Sequence, residues 1–449
     1  MSSDEETFDA IILGGGPSGA TAGMKLARAG SRVLILDKET FPRFHVGESM
    51  MPIMLEMTRQ LGLGERCDRL PQVPKHGAEF AFPQTPDDQT LRFVFSDSLS
   101  EGPIVSLNIE RSHYDKLLLD GAKESGCDVR EGARVQSIER LAHQDIAVRF
   151  AGGRARARWL IDATGQATLL AKHLGTKRPI PSHRKTAFFG HFTGVERLKG
   201  DEEGYPTIVM FEEGWFWIIP INETVTSCGL VLQQDALKRV GVPRDQIMRW
   251  AVERTPLMAR RLRDATFPEM TSSNMISDYS YRCRPYAGPG YFLVGDAAAF
   301  LDPIFSTGVA MGMAGAMQAA ELIQEVDAGQ TTPDAAYKRY TRFLDGSSKH
   351  LFSLVNSYYE HRFRELMMNG KGPAQMERAV VSLLAGHVFP KPAWKLVWRL
   401  RYMQLCAKLQ RVLPLVPRHQ RYSIFDAEPQ PIGQTEPADT PQPAVAASA

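Results

Sequence analysis

The run FDAIILGGGPSG at residues 8–19 constrains this chain more than any other segment. Phe8 to Leu13 is short, apolar and bounded by glycine, which fits a buried parallel strand. Gly14, Gly16 and Gly19 form GxGxxG, and Ala20 to Ala29 then reads as a small-residue helix stopped at Gly30. Arg32 to Leu36 supplies a second strand ending at Asp37, which completes a βαβ unit. Without side chains at the turn, backbone amides and the helix N-terminus can approach a pyrophosphate, and an acid at the second strand's end can hold a ribose hydroxyl pair. A merely tight glycine turn is the plain alternative. Strand, helix and acid in register favour a dinucleotide, but this motif does not separate FAD from NAD.

The rest of the chain must build around that unit. Its 449 residues are 43% hydrophobic and 23% charged, which excludes disordered, collagen-like and disulfide-miniprotein classes. Lys and Arg number 53 against 51 Asp and Glu, so the net charge of +2 gives no reason to expect a nucleic-acid partner. Cys67, Cys127, Cys228, Cys283 and Cys406 are odd in number and share no CxxC pair, which fits a reducing cytoplasm rather than a disulfide framework. The acidic start MSSDEET does not resemble a signal peptide, and no apolar run is long enough for a transmembrane segment. The 11 histidines show no HxxxH or HxH spacing and there is no GxSxG, so neither a metal site nor a hydrolase triad is expected.

Patterning suggests an α/β chain in which a Rossmann-like domain, residues 1–185 and 285–330, receives an inserted, mainly antiparallel β-sheet substrate domain at residues 186–284. Strand-like runs near residues 71–110 belong with that substrate module. The alternation in AFFGHF, TIVMF, WFWIIPI and TSCGLVL suggests a sheet with one face covered. Residues 331–425 form a helical C-terminal region, and the proline-rich stretch 426–449 is expected to be a disordered tail.

Two later features favour FAD: DATG at Asp162 to Gly165, and GDAAAFLDP at Gly295 to Pro303. Asp296 at a strand end suits a ribityl hydroxyl, although capping the next segment is its bland alternative. The combination from about Phe8 to Ala320 resembles the flavoprotein monooxygenase superfamily. That resemblance places Arg111 beside the cofactor and Val135 against the adenine, and adds Lys38, Arg43 and Ser49 to the cofactor-facing set. With one GxGxxG only, no NAD(P)H module is evident, which implies FAD reduced elsewhere by a separate flavin reductase.

FPRFHVGES at Phe41 to Ser49, WxWxIP (Trp215, Trp217, Ile219, Pro220) and FxxPxxSxG (Phe300, Pro303, Ser306, Gly308) occur together, and the set resembles the flavin-dependent halogenase family. Alternating aromatics on a strand are otherwise core residues. The resemblance implies tryptophans near the flavin that discourage ordinary monooxygenation. Ser306, Thr307 and Gly308 are read as opening a helix, with Ser306 as a possible N-cap and free amides for an anion. Chloride or bromide at Thr307 and Gly308, and Val309 backbone against the isoalloxazine, are what the resemblance implies. Lys75 aligns with the family lysine that receives hypohalous acid, whereas a lone lysine is ordinarily a solvated charge. Burial beside apolar residues would lower its pKa.

Phe305 stands where tryptophan halogenases carry a glutamate, so the resemblance is to the phenol- and pyrrole-type branch. Glu79 is a candidate base, with a solvated surface carboxylate as the alternative. The substrate is then an electron-rich aromatic, either free or tethered to an acidic carrier protein. A geranylgeranyl-reductase-like or hydroxylating FAD oxidoreductase and a non-catalytic flavin-binding interaction protein remain as alternatives.

Lys391 to Arg421 holds eight Lys and Arg and no acid. Trp394, Val397, Trp398, Leu405, Leu409 and Val412 recur at helical spacing, which suggests an apolar face docked on the protein and a basic face left free. A solvated face, an acidic carrier protein or an anionic membrane surface could meet the basic side.

Overall fold

The computed structural model describes residues 6–86, 89–99, 101–369, 375–387, 392–419 and 421–432. Glu6–Leu13 lies inside a sheet where Tyr291–Leu293, Gly153–Asp162, Glu6–Leu13, Val33–Leu36 and Asp128–Arg130 run parallel in that order. Ile11, Ile12 and Leu13 are fully buried, as a central parallel strand requires. Helix Pro17–Arg28 packs against helix Gly308–Asp327, and the small residues of both sequences explain how closely: a Cβ at Gly312 would overlap the Ser18 hydroxyl. Two separated stretches of sequence thus meet above one sheet, bringing the glycine loop and the FxxPxxSxG segment to the same cleft.

The second sheet runs Met275–Ser277, Lys185–Thr193, Val225–Gln233, Gly214–Pro220, Thr207–Met210, Gly77–Ala81, Leu91–Val94. Its pairings are antiparallel except for Thr207–Met210 against Gly77–Ala81, which is parallel. Contrary to the expected single covered face, every residue of Gly214–Pro220 is buried. Trp215, Trp217 and Ile219 face a core that includes Leu351, Leu384 and Leu400 of the C-terminal helices. Phe216 and Ile218 face a second core built with helices Ile247–Glu253 and Pro256–Arg261. GWFWIIP offers no polar alternation, so a strand of this composition demands cover on both sides.

The C-terminal helices are Pro333–Tyr358, His361–Met368, Met376–Leu384 and Trp394–Leu409. The face expected to dock is the one left out. Leu396, Leu400, Met403 and Ala407 are buried, whereas Trp394, Trp398, Leu405, Leu409 and Val412 are exposed. Both stripes are apolar, so helical spacing alone could not say which one the core would take. Lys391 lies outside the described residues. The tail expected from Asp426 is anchored through Ile432: Ile432 is buried and the Gln430 amide donates to the Glu253 carbonyl at 2.7 Å. Residues 433–449 lie outside the described residues.

Candidate active site

A single cavity of about 810 Å³ runs from the glycine loop to the WxWxIP strand. Gly14, Gly16, Asp37, Lys38, Arg43, Arg111 and Val135 line one part of it. Ser49, Lys75, Trp215, Trp217, Asp296 and Phe300 also line it, with Pro303, Ser306, Thr307, Gly308 and Val309. Gly19 and Pro220 do not. A Cβ on Gly19 would overlap the Gly14 carbonyl, so this glycine lets the helix seat under its own loop. Pro220 ends its strand opposite Thr226.

The dinucleotide end has the donor set such a ligand needs. Helix Pro17–Arg28 begins after Gly16 with no side-chain cap, so its first amides are left for an anion. A Cβ at Gly16 would stand in ordinary contact with Arg43, 3.4 Å from Nη2. Asp37 braces the turn, with Oδ2 accepting from the Gly15 amide at 2.6 Å and Oδ1 from the Glu39 amide at 2.8 Å. Lys38 pairs with Glu39 at 3.0 Å. Arg111 is buried and forks onto Asp115 at 2.7 and 2.9 Å, while Nη1 donates to the Val46 carbonyl at 3.2 Å. Asp115 also takes Arg43 at 3.1 Å, so the two arginines are held at the cleft by one carboxylate.

Asp296 has no hydrogen-bond donor on its carboxylate among the described residues, and burial raises its pKa to about 6 against the opposing pull of Arg111. Asp162 of DATG is instead spent on structure, accepting from the Thr164 amide and hydroxyl and from the Leu170 amide. An unsatisfied carboxylate and an uncapped helix end in one cleft fit a dinucleotide carrying both pyrophosphate and hydroxyl groups.

The FxxPxxSxG segment differs in detail from the sequence expectation. Ser306 is not the N-cap: it sits at φ +56° at the end of the short Pro303–Phe305 turn, and Thr307 is the N-cap of Gly308–Asp327. No side chain among the described residues caps that helix, so its first-turn amides are left unmatched where Thr307, Gly308 and Val309 line the cavity. The preceding turn is fixed by Asp302, which accepts from the Ile304 amide at 3.1 Å, Lys185 Nζ at 2.8 Å and the Tyr359 hydroxyl at 2.8 Å. Tyr359 in turn accepts from Trp215 Nε1 at 2.8 Å. Trp217 Nε1 donates to Ser227 Oγ at 3.2 Å, and Ser227 donates to Glu48, which also meets His191 Nε2 at 2.9 Å. Each tryptophan is therefore both a wall of the cavity and a tied ring. One is held to the FxxPxxSxG turn and the other to the FPRFHVGES loop.

Lys75 ends strand Gln72–Lys75 and is 4% exposed. Its Nζ donates to Ser49 Oγ and to the Met50 carbonyl, each at 2.9 Å, and lies 5.3 Å from the centre of the Phe95 ring. It makes no ion pair among the described residues, and burial lowers its pKa to about 7. Glu79 is neither solvated nor in the cavity. Strand alternation sends Ala78 and Phe80 to the cavity and Glu79 to the opposite face, where it accepts from Thr90 at 2.8 Å and Thr207 at 2.6 Å and pairs with Arg261 at 3.2 Å. It cannot serve as the base.

Residues not anticipated from sequence are Glu48, Asp302, Tyr359 and Tyr279. Glu48 and Asp302 lie inside the quoted motifs, and their acid character among apolar neighbours was the available signal. Tyr359 has no such signal, since it meets Trp215 only through the fold. Tyr279 lines the cavity with a buried hydroxyl that has no partner among the described residues.

The fold and cleft together define an FAD-binding oxidoreductase, and a family model described as an FAD binding domain matches residues 7–342. The chain is similar to a 1H-pyrrole-2-carbonyl-[peptidyl-carrier protein] brominase of Pseudoalteromonas luteoviolacea, at 31% identity over 408 residues, covering 88% of this chain and 95% of the relative. A tryptophan 2-halogenase of Chondromyces crocatus is 29% identical over 368 residues, covering 79% and 68%. Among solved structures, the flavin-dependent brominase Bmp2 superposes with a TM-score of 0.78 at 27% identity, covering 91% of this chain and all of that one. The chain belongs to the flavin-dependent halogenases, enzymes that use FAD and a halide.

Proposed function

We propose that the chain halogenates a neutral, electron-rich aromatic ring of phenol or pyrrole type, with Lys75 delivering the halogen. The observation that carries this reading is a buried amine with no carboxylate partner among the described residues, opening on an aromatic-walled cavity that also receives the FxxPxxSxG turn and the FAD cleft.

In this reading residues 1–185 and 285–330 hold FAD, with Gly14, Gly16, Arg43, Arg111 and Asp296 at the cofactor, and residues 186–284 wall the substrate. Asp37, Lys38, Val135 and the Val309 backbone complete the cofactor contacts. Chloride or bromide rests on the amides of Thr307 and Gly308. Bound reduced FAD supplies two electrons which, with O₂, halide and a proton, give hypohalous acid, water and oxidised FAD. A separate flavin reductase provides that reduced cofactor. Lys75 either hydrogen-bonds hypohalous acid as an ammonium or takes the halogen as an amine. The ring then gains the halogen and loses its proton, and the hydroxyl of the hypohalous acid leaves as water. Ser49 and the Met50 carbonyl hold Nζ in place for that transfer. Phe305, in contact with Tyr358, places a ring where a tryptophan-type enzyme has an acid, which favours a substrate activated enough to lose its proton unaided.

The ring is presented free or on an acidic carrier protein; the pyrrole-carbonyl relative is named for a substrate on a peptidyl-carrier protein. Five free buried cysteines favour a reducing cytoplasm as the site of action. The test supplies the protein with reduced FAD, O₂, chloride or bromide and phenols, pyrroles and indoles, free and carrier-bound. Halogen isotope patterns in the products are expected from wild type and not from Lys75→Ala. Oxygenated products without halogen, or halogen transfer by Lys75→Ala, would overturn the proposal.

A further inference from the structure

Of the ten large hydrophobic side chains exposed among the described residues, eight lie between Trp394 and Leu415. Their arrangement follows from the helix. Trp394, Trp398, Tyr402, Leu405, Leu409 and Val412 repeat every three or four residues and form one stripe, with Trp394 72% exposed and Val412 77%. The opposite stripe, Leu396, Leu400, Met403 and Ala407, is the one buried against the other C-terminal helices. The helix of 16 residues is about 24 Å long, so the exposed stripe spans its whole length.

Cations flank the stripe on both sides. Helical spacing places Lys395 and Arg399 along one edge and Arg401 and Lys408 along the other, and the exposed Arg411 follows in the turn after the helix. Lys395, Arg401, Lys408 and Arg411 make no ion pair among the described residues, and the sequence offers no acid between Lys391 and Arg421. An aromatic and leucine stripe bordered by cations whose methylene stems can run along it is the pattern of a helix lying in a lipid headgroup layer. A second copy would bring the same cations into apposition. Residues 433–449 contain no apolar side chain larger than Val445, too little to cover tryptophans.

We infer that the exposed face of helix Trp394–Leu409 docks peripherally on an anionic phospholipid surface, with its apolar stripe at the acyl boundary and its cations at the headgroups. No helix among the described residues is long and apolar enough to cross a membrane, so the association is of the surface type.

The experiment is vesicle flotation of the full chain, loaded with FAD, on mixed phosphatidylglycerol and phosphatidylcholine and on phosphatidylcholine alone. Binding is expected on the anionic vesicles, weakly or not at all on the neutral ones, with release at high salt. The variant W394S/W398S/L405S should fail to float. In K395Q/R401Q/K408Q/R411Q affinity should fall about fivefold per neutralised cation. Both variants alter exposed side chains and should keep FAD binding, which checks that they fold. Failure of wild type to float at low salt overturns the inference, as does flotation that neither variant weakens. Capture of an acidic carrier protein, or a dimer dissolved by W394S/W398S/L405S, with vesicles ignored, would assign the face to a protein and overturn it equally.

Discussion

Replacing Lys75 by methionine should destroy halogenation and, at neutral pH or below, stabilise the protein. Burial takes the Lys75 amine from 10.5 to about 7, and the residue is only 4% exposed, so solvent screens little of the penalty. At 1.36 kcal/mol per unit, holding the charged form inside the fold costs about 5 kcal/mol. The sign follows from proton counts. Between pH 7 and 10.5 the unfolded chain keeps the proton that the folded chain has lost, so wild-type stability rises with pH across that window by about 1.4 kcal/mol per unit. Below pH 7 both states are protonated and the full penalty is present. Above 10.5 both are neutral and it has gone.

Lys75→Met removes this penalty but also the hydrogen bonds to Ser49 Oγ and the Met50 carbonyl, at about 1 kcal/mol each at any pH. The variant should therefore be more stable than wild type by about 3 kcal/mol near pH 6 and less stable by about 2 kcal/mol near pH 11, crossing between. Urea midpoints of both proteins across that range read the difference directly. A difference that stays constant with pH would refute a desolvated lysine. In the same variant reduced FAD should still be oxidised, but without formation of a halogenated product.

Five other substitutions have outcomes that follow from the contacts. Tyr359→Phe unties Trp215 from Asp302 and should cost about 1–3 kcal/mol by leaving a buried indole N–H unmatched, with a higher KM for halide as the adjoining turn loosens; calorimetry and halide titration measure the two. Glu79→Gln removes the buried charge that pairs with Arg261 at 3.2 Å and should cost about 1–3 kcal/mol, yet the pH profile of halogenation should not move, since Glu79 faces away from the cavity. A methyl at Gly308 would stand 3.8 Å from Asp296 Oδ1 with no clash, so Gly308→Ala should fold normally and show its defect in halide KM, whereas Gly19→Ala should lose FAD binding because its Cβ overlaps the Gly14 carbonyl. Tyr279→Phe removes a cavity-lining hydroxyl with no partner among the described residues, so stability should hold within about 1 kcal/mol while substrate KM rises; urea midpoints and binding titrations separate the two effects.

The parts of this molecule legible in sequence are those set by local rules. A glycine turn between strand and helix is a backbone requirement, and Gly14, Gly16 and Asp37 stand where it placed them. Lys75 is a different case: nothing local shows that a lysine in PKHG is buried, and its reading depended on the resemblance. Ser306 went astray because serine before a helix is usually a cap, while here Asp302 has already fixed the turn and leaves Ser306 left-handed. Glu79 went astray because a charged residue on a short strand reads as exposed, and its partner Arg261 is brought to it only by the fold.

The terminal helix shows most sharply where sequence patterning stops. Helical periodicity finds apolar stripes, but a helix with two of them, one through Leu396 and Leu400 and one through Trp394 and Trp398, gives no local reason to prefer either for the core. The packing around Leu351, Leu354 and Leu383 selects the aliphatic stripe, whose slimmer side chains fit between helices. The aromatic stripe is then left outward with its cations, and a face of that composition is stable in water only at a cost that a partner surface can remove. A solvated basic face, the plain reading of the eight cations, does not account for the row of exposed aromatics and leucines that accompanies them.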